Sequence, residues 1–166
     1  MLEANAESIQ EVFCEVLESL AFMFGDPADK EGLATDEPVL EATVEFRGPS
    51  QGGLTILTPH SVAGEVAANL LGVDPDDESA AEQAHDALGE LMNVTLGRLL
   101  TTLAGAGPVF DLSPPKVSDA DGEKWNQFME APQTVAFLID DRPVLLRFSS
   151  ESSRIAQVGA RSGDES

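Results

Sequence analysis

The apolar residues change period partway along the chain, and that change does most to restrict what it can fold into. Ile9, Val12, Phe13, Val16, Leu17, Leu20 and Phe24 recur at the three-and-four spacing of one helical face, predicting a helix over about Ala6–Phe24 that Gly25-Asp26-Pro27 ends. Leu40, Ala42, Val44 and Phe46 then alternate with Glu41, Thr43, Glu45 and Arg47, the period of a half-buried strand. Helical and extended periods in one short chain require both element types to share a core.

The later segments repeat this mixture. Gly48–Gly53 reads as a loop and Leu54–Thr58 as the returning strand, a hairpin turning at Gly52-Gly53. Thr58-Pro59 reads as an N-cap with proline at the first helical position, opening a helix that carries Val62, Val66, Leu70 and Leu71 inward and stops at Gly72. Ser79-Ala80-Ala81-Glu82 fits a capping box for a long third helix reaching about Ala104. Extended stretches are expected at Val109–Leu112, Thr134–Ile139 and Val144–Phe148, the last two joined by the turn Asp140-Asp141-Arg142-Pro143. Residues 26–38 and 116–133 read as polar connections, with Trp125 and Phe128 clamping the core edge. The expected fold is α+β, an antiparallel sheet with long helices packed on it. At 166 residues and 17.5 kDa it forms one domain over residues 1–155, followed by a polar tail at 156–166.

Charge and rare residues exclude several function classes. Thirty Asp plus Glu against nine Lys plus Arg leave −21, with a pI of about 4.1. Such a surface repels phosphate backbones and anionic lipid, so neither nucleic acid nor a membrane surface is an expected partner. No apolar run approaches the ~18 residues of a membrane span, and Met1–Asn5 lacks a basic leader region, so the expected address is cytoplasmic. Cys14 is the single cysteine and reads as a small buried hydrophobe, while His60 and His85 lack ligand-spaced companions, so no metal centre is expected. No nucleophile elbow, phosphate-cradling loop or dinucleotide fingerprint is expected. Chemistry is left to carboxylates, amides and hydroxyls.

The third helix carries the informative pattern. At ~100° per residue, Leu88, Leu91, Met92, Thr95 and Leu99 fall in one core-facing sector. Asp86, Glu90, Asn93 and Gly97 fall within roughly 60° of one another on the other side. A glycine there costs about 0.8–1 kcal/mol relative to alanine, which suits a face that must stay flat. The Glu-x-x-Asn spacing alone is cheap, since Glu123–Asn126 has it too, and by itself it fits a solvated helix face equally well.

The segment Asp86-Ala87-Leu88-Gly89-Glu90-Leu91-Met92-Asn93-Val94-Thr95-Leu96-Gly97 resembles the signature helix of the CheX/CheC/FliY phosphatases. Asp86, Glu90 and Asn93 fit the family spacing, and Pro114 or Pro115 supplies its downstream proline at a gap one or two residues shorter. The resemblance spans roughly residues 6–150. CheC-type members carry a second Glu…Asn pair on the first helix. Here Glu11–Glu15 has no matching asparagine, which places the chain nearer the single-site CheX type.

The resemblance implies a phosphatase acting on the aspartyl phosphate of a CheY-like response regulator in chemotaxis or two-component signalling. It assigns Asn93 to orient the attacking water, Glu90 to pair with a receiver lysine, and magnesium to the receiver, with no cofactor of the chain's own. It also implies a homodimer. Asp86 either contacts the partner or supports the helix, and Gly97 lets the partner backbone approach. The alternative is a non-catalytic CheX-like module that binds a receiver or a flagellar-switch component. A scaffold without phosphate chemistry fits the organised helix face less well.

Overall fold

In a computed structural model, residues 2–152 are described; the expected tail at 156–166 lies outside them. Helix α1 (Ala6–Ala21) starts where the Asn5 side chain accepts the Ser8 N–H at 2.7 Å. It buries Ile9, Val12, Phe13, Val16 and Leu17. It ends earlier than the periodicity predicts: Phe22 turns left-handed (φ 56°), its N–H and that of Met23 bonding back to Glu18 and Leu17. That reversal points Met23 into the core and leaves Phe24 exposed. Cys14 is half-buried and its thiol donates to the Gly25 carbonyl at 3.3 Å.

Strand β1 (Asp26–Ala28) follows directly and pairs with β6 (Thr134–Ile139), where a surface connection was expected. Strands β2 (Val39–Arg47) and β3 (Ser50–Pro59) form the expected hairpin, but it turns at Gly48-Pro49 and carries Gly52-Gly53 inside β3. A Cβ at Gly52 would lie 2.0 Å from the Ser149 carbonyl oxygen, so these glycines serve close strand approach instead of a turn. Gly48-Pro49-Ser50-Gln51-Gly52 does carry the letters of a G-x-S-x-G elbow, contrary to expectation. It spans a hairpin rather than a strand-to-helix turn, and Ser50 is buried in β3 with His60 beyond the strand's far end.

Helix α2 (His60–Leu71) begins without a side-chain cap, because Thr58 is still in β3 and its hydroxyl donates to the Pro59 carbonyl. The long third helix is divided. Asp77 caps a short α3 (Glu78–Glu82) by accepting the Ser79 N–H and hydroxyl, so the cap lies two residues before the expected one. Gln83 then leaves helical geometry and α4 (Ala84–Ala104) runs on.

Short strands β4 (Asp111–Leu112) and β5 (Lys116–Ala120) pair with β2, and α5 (Gly122–Glu130) is capped by Asp121. Of the expected strand at Val109–Leu112, the first half is coil, with Val109 exposed and Phe110 half-buried edge-on to Phe46. Strand β7 (Arg142–Ser152) extends past the expected Phe148, and its turn from β6 places Asp140 and Asp141 at positive φ.

The antiparallel sheet has the order β1-β6-β7-β3-β2-β4, with β5 also on β2. Helices α1, α2 and α4 cover one face through the main apolar core. On the other face Trp125 and Phe128 of α5 close a smaller cluster with Val39, Leu57, Ala136 and Leu145, as the expected clamps. The result is the α+β arrangement of a sheet carrying long helices.

Candidate functional site

Helix α4 has an inner and an outer side, as its sequence predicts. Leu88, Leu91, Met92, Thr95, Leu96 and Leu99 are buried, and the Thr95 hydroxyl donates to the Leu91 carbonyl at 2.7 Å, which satisfies the one polar group on that stripe. Asp86 and Glu90 are exposed and Asn93 is half-buried. Strand β5 runs beside this outer side because it pairs with β2 from Val39↔Ala120 to Thr43↔Lys116, and Asp119 meets the His60 ring at 2.9 Å.

The contact that seats β5 is Pro115 on Gly89. A Cβ built at Gly89 would lie 3.0 and 3.1 Å from Pro115 Cβ and Cγ, so the buried glycine leaves a notch that the proline ring fills. An open cleft of about 420 Å³ results, lined by His85, Asp86, Gly89, Glu90, Asn93, Pro115 and Val117. Asp86, Glu90 and Asn93 therefore share one site, and of the two prolines Pro115 is the one that lines it. Gly97 does not line this cleft. It borders a separate hollow of about 150 Å³ with Leu100, Thr101 and Phe110, and a Cβ there would meet open space.

Sequence reasoning gave no role to His85, Gly89 or Val117. A second glycine within the same helix was the available signal for Gly89; Val117 required knowing that 116–120 is a strand. Among the described residues the ion pairs engage His60, Lys124 and Arg142, and none involves Asp86 or Glu90. No three His, Cys, Asp or Glu side chains among the described residues form a metal-binding group. A hollow of about 360 Å³ on the outer sheet face includes Thr43, Thr55 and Arg147, but the Arg147 guanidinium is committed to the Phe128 ring at 4.3 Å. The α4 cleft is the candidate site.

What this cleft can do follows from its groups. A carboxamide both donates and accepts hydrogen bonds, so Asn93 can hold one water in a fixed direction, although it cannot remove a proton as a base. An exposed carboxylate such as Glu90 can pair with a cation brought by another molecule.

The sheet with three helices on one face is the fold of CheC/CheX-type chemotaxis proteins. CheX from Desulfovibrio desulfuricans superposes with a TM-score of 0.64 at 20% identity, covering 88% of this chain and 98% of its own. CheX from Vibrio vulnificus gives 0.64 at 19%, covering 87% and 95%. The CheX–CheY–BeF3–Mg complex from Borrelia burgdorferi gives 0.64 at 21%, covering 90% and 99%. No curated protein matches in sequence. The family described as chemotaxis phosphatase CheX matches residues 40–136, a span that contains α4, β5 and the whole cleft, and the chain belongs to that family.

Proposed function

We propose that this protein hydrolyses the aspartyl phosphate of a CheY-like response regulator, with Asn93 and Glu90 as its working residues. The observation that carries the reading is the cleft itself: the amide and the carboxylate of the CheX-type segment stand on one exposed side of α4, beside Pro115, inside the family-matched span. An acyl phosphate is already labile, and phosphoryl transfer is served mainly by positioning and electrostatics. Asn93 orients a water in line with the acyl oxygen; the water oxygen bonds phosphorus, the P–O bond to the aspartate breaks, and phosphate and a free carboxylate leave. Glu90 pairs with a receiver lysine and fixes the register of the two proteins. The receiver holds the magnesium. Asp86 flanks this contact, and Gly97, a turn further on, leaves room for the partner backbone. The family resemblance further supports a homodimer working in the cytoplasm.

The test is the decay of a phosphorylated receiver from the same source, in magnesium, with and without this protein and its Asn93→Ala variant. Wild type should accelerate decay, and the variant should lose about 10²-fold of that acceleration, as when one preorganised hydrogen-bonding group is removed, while still binding the receiver. Binding without any acceleration by wild type would instead favour a non-catalytic receiver-binding module.

A further inference from the structure

Asp86 and Glu90 put negative charge on one flank of the cleft. Five residues separate His85 from Glu90, about 7.5 Å along the axis and about 140° around it, so the imidazole stands on the opposite flank. Between them lie the Gly89 notch, filled by Pro115, and Asn93. His85 is exposed and is the one lining residue that can carry positive charge.

We infer that His85 is a second partner-contacting residue, which in its protonated form pairs with an anionic group beside the acyl phosphate of the docked receiver. This rests on the reading of the cleft as the surface that meets a phosphorylated receiver. Glu90 alone supplies one point of registry and, with Asp86, repels a phosphoryl group. A cation on the far flank offsets that repulsion and adds a second point of opposite sign, so that only one orientation of the partner satisfies both ends. The charges around the imidazole come from α4 (Asp86, Glu90) and, nearest in sequence on α3, from exposed Glu82. Pro115 and Val117 bring none from β5.

Steady-state dephosphorylation of one receiver, compared at one fixed pH for wild type, His85→Lys, His85→Gln and His85→Glu, tests this. Exposed pairs of this kind correspond to about 2- to 5-fold in affinity. KM should therefore be lowest for His85→Lys and should rise by about that factor from His85→Lys to His85→Gln and again to His85→Glu, with kcat differing little among the variants. A KM that does not follow the charge of the side chain at this position, or a loss in kcat rather than KM, would overturn the assignment. Fluorescence anisotropy of a labelled phosphorylated receiver, read with the Asn93→Ala background, separates the two claims. If Asn93→Ala leaves decay unchanged the catalytic reading falls, whereas unchanged binding on replacing His85 removes only the second contact.

Discussion

Gly89 and Gly97 sit two turns apart on the same helix, and the physics of adding a methyl group at each is opposite. At Gly97 a Cβ meets nothing, so Gly97→Ala should gain most of the ~0.8–1 kcal/mol that alanine holds over glycine inside a helix. At Gly89 the same gain is set against crowding of Pro115 at 3.0 Å, where overpacking typically costs about 1–3 kcal/mol. Relief requires β5 to move by a few tenths of an ångström, which displaces the wall of the cleft beside Asn93. Gly89→Ala should therefore cut dephosphorylation more than it lowers Tm, and Pro115→Ala in the same chain should restore part of the loss. Additive effects in that double-mutant cycle would show that the notch does not hold the site. Asp86, Glu90 and Asn93 were legible from helical angle alone, because the α-helix fixes which residues share a side. His85 lies about 80° outside that sector, and the partnership of Gly89 with Pro115 depends on a strand that arrives from 26 residues away in sequence, so neither follows from periodicity.

Among the elements, the β6–β7 hairpin shows how a turn is fastened to the helical layer. Arg142 follows a turn whose two aspartates both take positive φ, and its guanidinium reaches the Ile139 carbonyl at 3.1 Å, the Ser61 hydroxyl at 3.2 Å and Glu65 of α2 at 2.5 Å. The side chain is 19% exposed, so these charge-assisted bonds are only partly screened. Arg142→Ala should lower stability by about 1–2 kcal/mol, a Tm drop of a few degrees for a chain of this size, with kcat unchanged because α4 and β5 are untouched. An unchanged Tm in calorimetry would mean that the clamp is idle. The long periodic elements α1, β2, β6 and the body of α4 were readable because each repeats its pattern over several turns or pleats. β1 and β5 were hidden for a different reason: they are short, polar edge strands whose pairing with β6 and β2 is settled by tertiary contact. Helix α5 has only Trp125 and Phe128 to mark its buried side, too few to set a period. The break at Gln83 was invisible because α3 and α4 are both good helix sequences, and the stronger Asp77 cap fixed the start two residues before the capping box.

At the scale of the molecule, a net charge of −21 opposes the compact state, since folding brings carboxylates closer than the unfolded chain does. Raising NaCl from about 0.01 M to about 0.5 M shortens the screening length from ~30 Å to a few ångströms, so Tm should rise over that range. A flat or falling Tm would mean that the ion pairs around Arg142, Lys124 and His60 outweigh the repulsion. Acid acts on one carboxylate in particular, Asp77. Hydrogen bonds from the Ser79 hydroxyl and backbone hold its carboxyl below the usual aspartate range. A group lowered in the folded state binds fewer protons there than in the unfolded chain, so its contribution is complete above the ordinary aspartate value and is lost as pH drops through the lowered one. Asp77→Ala should therefore lower Tm at pH 7, and the gap to wild type should close only in strongly acid solution. A gap that stayed constant to pH 2 would assign the cap's value to shape rather than charge, and one already closed at pH 5 would place the carboxyl outside the hydrogen bonds that start α3.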